Sequence, residues 1–219
     1  MRATAELMVV DEETRRRLIA TVARRVIDHA DELTALDQAI GDGDHGINMR
    51  RGSEAVLADL DGLAAKPLPE ALKAIGMALV MKVGGASGPL YGVAFRRAGK
   101  ALGDAADVDL PALAAALEAA LAGVQQLGAA REGDKTMVDA LAPATGAFSK
   151  AISEGASPAD ALSALAEAAQ AGAEATISMQ ALKGRASYLG PRSVGHEDPG
   201  AASTALILGA LRDAALAGQ

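Results

Sequence analysis

Apolar residues recur at intervals of three and four along almost the whole sequence. The clearest stripe follows Pro111 and consists of Leu113, Leu117, Leu121 and Val124. This spacing places the side chains on one face of an α-helix. Alanine, which has the highest helix propensity, is frequent, whereas aromatic residues make up only 2% of the 219 residues. A β-sandwich or β-barrel would need more aromatic and β-branched residues, so the sequence predicts an all-α protein.

We predict eight amphipathic helices and no strand. Asp11 caps the first helix, whose apolar stripe consists of Leu18, Ile19, Val22, Val26, Ile27 and Leu33. The others are expected over about 46–60, from 69, over 89–102, from 111, and over 137–153, 157–180 and 200–216. Ser157 before Pro158 is typical of a helix start. Because the length suits one large core, residues 1–219 are expected to form a single domain.

Charge and composition exclude several classes of function. The net charge is -7 and no Lys/Arg-rich tract is present, which argues against a nucleic-acid partner. The lack of cysteine excludes disulfides, thiolate catalysis and cysteine-ligated zinc. No targeting signal is visible at residues 1–6, and Lys82 and several glycines interrupt the apolar stretch 75–95. We therefore expect a cytoplasmic protein with no membrane contact.

Three carboxylates fall within eight residues, at Asp37, Asp42 and Asp44. Such a cluster is self-repelling unless a cation neutralises it, and Mg²⁺ prefers carboxylate, water and phosphate oxygens. A solvated acidic turn is the alternative, because Asp-Gly pairs favour turns. The neighbouring glycines, which leave room for a ligand, and the helix start that follows favour the metal site.

Two other motifs do not fit this segment. Gly41, Gly43 and Gly46 match the dinucleotide fingerprint by letter, but they follow an amphipathic helix and not a strand. An EF-hand counted from Asp42 would need Gly and Glu at the positions occupied by Ile47 and Ser53.

Three further loops carry groups suited to a phosphorylated ligand. Residues 84–92 form a Gly-rich turn before a helix, where backbone N–H groups and Ser87 could bind phosphate, or where two helices could simply pack closely. Residues 133–137 could hold a charge pair and a cap or contact a nucleotide. Residues 183–200 form a long loop containing Arg185, which suits phosphate but could be a surface charge. Of the three histidines, His45 and His196 lie in such loops, whereas His29 suits a surface or cap role.

In their order along the chain, residues 41–46, 84–89, 133–137 and 184–200 resemble the nucleotide-binding subunit of dihydroxyacetone kinase, the DhaL domain family. The resemblance covers nearly the whole chain. It implies a barrel of eight antiparallel helices with the nucleotide at one rim. It also implies that Asp37, Asp42 and Asp44 hold two Mg²⁺ ions, and that no residue of this chain is a catalytic nucleophile. The implied nucleotide-binding residues are His45, Gly46, Ile47, Asn48, Ala86, Ser87, Gly128, Met137, Arg185, Asp198, Pro199 and Gly200.

The resemblance further implies a phosphotransferase that works only with partners. In one branch of the family, ADP stays bound as a coenzyme. A phosphohistidine subunit of the phosphotransferase system converts it to ATP, and a dihydroxyacetone-binding subunit receives the phosphoryl group. Because no substrate domain is found after Met1, we expect this separate-subunit form. The alternatives are an ATP-dependent kinase subunit for dihydroxyacetone or another small ketose, a nucleotide-sensing regulatory module, and a helical scaffold whose loops only join helices.

Overall fold

The computed structural model describes residues 10–104 and 108–217. Residues 1–6, where no targeting signal was found, lie outside the described part, as do the ends of the predicted domain. Within the described residues, the chain contains helices and no β-strand. The α-helices are α1 (Glu12–Asp28), α2 (Ala30–Ile40), α3 (His45–Ala58), α4 (Leu60–Ala64), α5 (Leu68–Lys82), α6 (Ser87–Leu102), α7 (Leu110–Gly128), α8 (Val138–Ser153), α9 (Pro158–Ala175) and α10 (Pro199–Leu216). Two 3₁₀ segments, Thr176–Ser178 and Arg185–Ser193, lie between α9 and α10.

One of the predicted helices is broken and two end earlier than predicted. The first was expected to run past Leu33, but it ends at Asp28, and α2 begins two residues later. His29 has a ψ near 10°, and its backbone N–H and its ring Nδ1–H both donate to the carbonyl of Arg25. This is the cap role predicted for His29. The second helix, predicted over about 46–60, corresponds to α3, which ends at Ala58, and the short α4 begins where that prediction ended. The helix predicted to reach residue 180 ends at Ala175.

The long helices pack in a closed order. The successive neighbours are α1, α3, α5, α6, α7, α8, α9 and α10, and α10 packs against α1 again. The helix α2 lies mainly against α3, and α4 lies against α1. Apolar side chains from these helices form one core, in which Phe148, Leu165 and Val138 are fully buried, and they surround an apolar cavity of about 280 Å³.

Small residues allow close helix contacts. An added Cβ at Gly76 would lie 2.7 Å from the carbonyl oxygen of Gly92, and one at Gly172 would lie 2.2 Å from that of Asp139. The first contact brings α5 against α6, and the second brings α8 against α9. Several fully buried alanines, among them Ala144 and Ala169, have the same effect. The high alanine content therefore sets the spacing between helices as well as their propensity to form.

Among the described helices, α7 is the one whose length and apolar composition would suffice to cross a membrane. It packs against α6 and α8 and buries Ala116, Ala120 and Val124. The apolar stretch 75–95 is divided between α5 and α6 by the turn at Gly84 and Gly85.

Candidate functional site

A pocket of about 290 Å³ with both polar and apolar lining residues lies at one end of the helical assembly. Helices α3, α6, α8 and α10 begin at this pocket, and α2 and α7 end there. The four loops singled out in the sequence all contribute to its wall. Residues far apart in the chain meet here because alternate helices of the assembly start at the same end.

The three aspartates of the first loop converge. One carboxylate oxygen from each of Asp37, Asp42 and Asp44 lies within 4.8 Å of the others. Asp37 is buried at the end of α2, and its Oδ2 accepts the backbone N–H groups of Asp44 at 2.8 Å and His45 at 3.0 Å. These two bonds fold the 41–44 turn back over Asp37. The exposed carboxylates of Asp42 and Asp44 are thereby held beside it, as the hard oxygen donors of a Mg²⁺ site would be.

Arg185 reaches the cluster from the segment between α9 and α10. Its Nε lies 2.9 Å from Oδ2 of Asp42, and its side chain is 71% exposed. Exposed ion pairs of this kind contribute about 0–1 kcal/mol. Breaking the ion pair with Asp42 therefore costs little, and the Arg185 side chain can bind the phosphate of a ligand instead.

Helix N-termini provide the complementary positive potential. At the pocket, the cap residues of α3, α6 and α8, which are Asp44, Ala86 and Met137, accept no backbone N–H with their side chains. The N–H of His45 at the start of α3 is donated to Asp37, and that of Val138 at the start of α8 is donated to Thr136. At α6, no N–H of the first turn has a side-chain acceptor among the described residues. Away from the pocket, α1, α7 and α9 are capped by the side chains of Asp11, Asp109 and Ser157. Uncapped N–H groups and the helix dipole favour an anion. Before α6, Gly85 has a φ of 65°, a left-handed conformation that glycine adopts without strain and that shapes the turn.

The fourth helix start, at α10, is capped by Asp198. Its carboxylate accepts the backbone N–H of Ala201 at 2.8 Å, and its own N–H donates to Oγ1 of Thr176 at 2.9 Å. Burial raises the pKa of Asp198 to about 7, with a smaller contribution from the charge of Asp139, whereas the charge of Lys135 acts to lower it. The helix start is therefore less negative near neutral pH than an ordinary aspartate would make it.

A buried chain of polar side chains leads from the pocket into the core. Nδ1 of His45 lies 3.0 Å from Oγ of Ser87, and its Nε2 lies 2.9 Å from Oγ of Ser203. The hydroxyl of Tyr91 lies 2.7 Å from Ser203 and 2.9 Å from Thr204. Burial lowers the pKa of His45, so the ring is neutral at physiological pH, and burial raises that of Tyr91 to about 12. No carboxylate orients the His45 ring through Nε2, so Ser87 and His45 lack the third member of a nucleophilic triad.

Lys135 is buried behind the pocket, with 1% of its surface exposed. Its Nζ donates to the carbonyl oxygens of Thr176 at 2.7 Å, Met179 at 3.2 Å and His196 at 2.5 Å. Burial lowers the pKa of this ammonium group, and the charge of Asp198 raises it. Lys135 thus ties both ends of the 176–198 segment to the start of α8.

Most of the predicted site residues line the pocket. They are Asp37, Asp42, Asp44, His45, Ala86, Ser87, Gly128, Met137, Arg185, Asp198, Pro199 and Gly200.

Three predicted residues of α3 do not reach the pocket wall. An added Cβ at Gly46 would lie 1.8 Å from the carbonyl oxygen of Ala30, so this glycine permits the contact between α2 and α3. Ile47 faces outward with 56% of its surface exposed. Asn48 is buried under Gly84, and a Cβ added to Gly84 would lie 2.6 Å from Oδ1 of Asn48. The side chains of successive residues turn about 100° around a helix, so these three side chains do not share one face. The backbone N–H groups of a first turn all point toward the helix start, so binding of a phosphate by this run stays a prediction.

Sequence reasoning missed several residues of the site. Lys135 was seen in its loop but not assigned, and Lys183 and Gly184 also line the pocket. Tyr91 and Ser203 gave no signal, because both lie in helices whose patterns predict only packing. His196 does not line the pocket, and its carbonyl oxygen binds Lys135.

Comparison with known proteins places this arrangement in a family. Residues 39–213 match the model of the DAK2 domain. The ADP-binding subunit DhaL of PEP-dependent dihydroxyacetone kinase 1 from Listeria innocua is 41% identical over 204 residues, which cover 93% of this chain and 97% of that protein. The corresponding subunit from Escherichia coli is 44% identical over 176 residues, which cover 80% and 84%.

Longer proteins match over part of their length. The dihydroxyacetone kinase of C. freundii, solved in complex with AMP-PNP and Mg²⁺, superimposes with a TM-score of 0.72 at 29% identity. This match covers 97% of the present chain and 36% of that one. Triokinase/FMN cyclase of Rattus norvegicus is 37% identical over 191 residues, and the match covers 33% of its length. The helical fold, the aspartate cluster and these matches together show that the chain belongs to the DAK2 domain family.

Proposed function

We propose that this protein is the ADP-binding subunit of a phosphotransferase-system-dependent dihydroxyacetone kinase. One observation carries the proposal: the three aspartates share one pocket with the start of α6, which has no side-chain cap, and with the starts of α3 and α8. A nucleotide diphosphate with bound metal needs both kinds of group, because the metal requires carboxylates and the phosphates require N–H donors. The relatives named as ADP-binding subunits match over most of this chain and most of their own length.

The metal set proposed is two Mg²⁺ ions held by Asp37, Asp42 and Asp44. Three carboxylates and two divalent ions leave a local charge near +1, to which Arg185 adds. This charge favours the phosphates of ADP in a protein whose net charge is -7. When bound, the metal ions would neutralise charge on the transferred phosphoryl group. The residues of this chain would hold and orient the nucleotide, with the neutral Ser87, Gly85 and Ala86 on one side and Arg185 on the other.

Substrate binding is assigned to a partner that docks at the pocket end. Within residues 10–104 and 108–217, the large apolar side chains that are exposed lie on segments that lead toward this end: Ile47, Met77, Val80, Met81, Leu127, Ile177, Leu182, Tyr188 and Val194. Tyr188 is 89% exposed beside the pocket-lining residues 183–186. Such a concentration of apolar surface is typical of an interaction site. A dihydroxyacetone-binding subunit seated there would exclude water from the nucleotide.

The other elements of the proposal follow from this assignment. A phosphohistidine subunit of the phosphotransferase system would use the same face to convert bound ADP to ATP. The protein would act in the cytoplasm, without nucleic acid or membrane. The closed order of helix contacts supports a single domain, residues 1–219, built as a barrel of eight antiparallel helices in which the α1–α2 and α3–α4 pairs each count as one element.

One second candidate is supported by an observation. Triokinase/FMN cyclase contains a similar region within a longer chain, which favours a subunit of an ATP-dependent kinase for dihydroxyacetone or another small ketose. A nucleotide-sensing module without turnover would have the same pocket but no partner-dependent activity.

The first experiment measures nucleotide and metal binding. Wild-type protein stripped with EDTA should melt higher with Mg-ADP but not with ADP and EDTA. A hundredfold excess over Kd adds about 2.7 kcal/mol, or about 5 to 10 °C for a domain of this size. Asp42→Ala and Asp44→Ala should lose this shift and keep the apo melting temperature, because neither side chain accepts a backbone N–H. Asp61→Ala removes the same charge on α4 and should keep the shift. A full shift in both aspartate variants would contradict the metal site.

The second experiment assigns the chemistry. Formation of dihydroxyacetone phosphate is measured with this protein alone, with a dihydroxyacetone-binding subunit, and with a phosphohistidine donor added in the absence of free ATP. Formation of dihydroxyacetone phosphate is expected only when this protein, the dihydroxyacetone-binding subunit and the phosphohistidine donor are all present. Turnover with free ATP and the substrate subunit alone would favour the ATP-dependent alternative. Turnover by the isolated chain would refute the subunit assignment.

A further inference from the structure

Among residues 10–104 and 108–217, three cationic side chains contribute to the wall of the pocket: Lys135, Lys183 and Arg185. Two of them are already engaged, since the ammonium group of Lys135 is bound by three carbonyl oxygens and Nε of Arg185 lies 2.9 Å from Oδ2 of Asp42. In the same part of the chain, Lys183 forms no ion pair, and its side chain forms no hydrogen bond. The ammonium group of this exposed residue is therefore available to a ligand.

The backbone on both sides of Lys183 is anchored. The N–H of Leu182 donates to the carbonyl oxygen of Asp134 at 3.0 Å. The carbonyl oxygen of Gly184 accepts the N–H of Ser187 at 3.3 Å and its hydroxyl at 2.6 Å. Gly184 has a φ of 69°, a left-handed conformation that turns the chain sharply between the two cations of this segment. A ligand therefore needs to order only the side chain of Lys183, and not the backbone that carries it.

Lys183 lies on the outer rim of the pocket. The same segment carries Leu182 and Tyr188, which are 54% and 89% exposed, on the surface where the partner is proposed to dock. In the proposed function, the terminal phosphoryl group of the nucleotide is received from one partner and passed to another. That group must therefore lie at the rim, within reach of both partners, where the side chain of Lys183 has no other contact.

The charge of the nucleotide changes when ADP becomes ATP, because a third phosphate group is added. The positive charge of the proposed metal site and of Arg185 faces the phosphates that ADP and ATP share. A further cation favours the added phosphate, as the lysine of P-loop proteins does at the β- and γ-phosphates. An ammonium group there also stabilises the charge that spreads over the oxygens of the phosphoryl group during its transfer.

We propose that Lys183 binds the terminal phosphate of ATP and so determines how strongly the pocket binds ATP relative to ADP. The inference rests on the proposed function, because it concerns a nucleotide bound at the same pocket. It gives a role to a residue that is not among the predicted nucleotide-binding residues. It also separates Lys183 from Arg185, whose contact with Asp42 places it beside the metal cluster.

The test compares the Kd values of Mg-ADP and of Mg²⁺ with AMP-PNP, an ATP analogue that resists hydrolysis, by calorimetric titration. Lys183→Met keeps the length of the side chain and removes its charge. The Kd of AMP-PNP should rise about tenfold, the effect of losing one hydrogen bond between charged groups. The Kd of Mg-ADP should change by less than about twofold, as expected for an exposed charge without a direct contact.

Two further variants separate this contact from a general loss of positive charge. Lys183→Arg keeps the charge and should bind AMP-PNP within about threefold of the wild type. Lys82→Met is the matched control, because Lys82 is exposed at the end of α5 and does not line the pocket, so it should bind both nucleotides as the wild type does. Equal fold changes for the two nucleotides in Lys183→Met, or an unchanged Kd of AMP-PNP, overturn the inference and leave the proposed function intact. Wild-type protein that binds neither nucleotide contradicts the proposed function itself.

Discussion

Replacing Lys135 with methionine tests what holds the pocket together. Methionine keeps the length of the side chain and removes its charge and its donors. The carbonyl oxygens of Met179 and His196 have no hydrogen-bond donor other than Lys135 among the described residues, whereas that of Thr176 also accepts the N–H of Met179. Two carbonyl groups would therefore lose their only protein partner.

The magnitude follows from these two carbonyls. Met179 and His196 are partly exposed, so water reaches their carbonyl groups in part. At the lower end of the cost of an unsatisfied acceptor, about 1 kcal/mol each, Lys135→Met should lower the free energy of unfolding by about 2 kcal/mol. The release of an ammonium group from a buried site offsets part of this loss. For a domain of this length, each kcal/mol corresponds to about 2–4 °C in Tm. We expect a decrease of roughly 4 to 8 °C, together with weaker Mg-ADP binding, because the segment that carries Arg185 and Asp198 loses its anchor.

The assay is thermal unfolding followed by circular dichroism, with calorimetric titration of Mg-ADP. Lys183→Met is the matched control, because Lys183 lines the same pocket and is exposed. An exposed substitution of this kind should change stability by at most about 0.5 kcal/mol. If Lys135→Met melts within two or so degrees of Lys183→Met, the ammonium group does not hold the segment in place, and the reasoning is refuted.

Two other predictions concern pH and packing. The pKa of Asp198 is near 7 in the folded protein and near 3.8 in the unfolded chain, so the folded state holds this proton more tightly. The contribution of this group to stability is thus complete below pH 4 and is lost as pH rises to 7. Asp198→Asn keeps an acceptor at the helix cap, so this variant should lose the pH dependence of stability and should be more stable than the wild type at pH 8. The measurement is urea unfolding as a function of pH, and parallel stability profiles of the two proteins would disprove the role of Asp198. Gly46→Ala should cost at least about 3 kcal/mol, because the new methyl group meets the backbone of α2. Gly146 in α8 is exposed, and a Cβ added there has no neighbouring atom within 4 Å, so Gly146→Ala should stabilise the protein by about 0.5–1 kcal/mol. Equal melting temperatures of the Gly46→Ala and Gly146→Ala variants would exclude the packing argument.

The sequence by itself determined the helical class and the aspartate loop. Helix periodicity and capping residues such as Asp11 and Ser157 are local signals, because they depend on residues within one or two turns of each other. The convergence of Asp37, Asp42 and Asp44 was also predictable, since only a short turn separates them. The break at His29 was not, because the apolar stripe continues across it and no Pro or Gly marks it in the sequence.

The tertiary structure decided which side chains share the pocket. Whether Ile47 or Lys183 faces a ligand depends on how each segment packs against helices distant in sequence, and the local pattern does not contain that information. In the sequence, Lys135 is a charged residue of a short loop that could hold a charge pair and a cap or contact a nucleotide. In the structure it is buried, because three carbonyl oxygens from the 176–198 segment surround its ammonium group. Tyr91 and Ser203 meet across more than a hundred residues. Hydrogen bonds between distant segments exist only after the helices have packed, so only the folded structure shows these contacts.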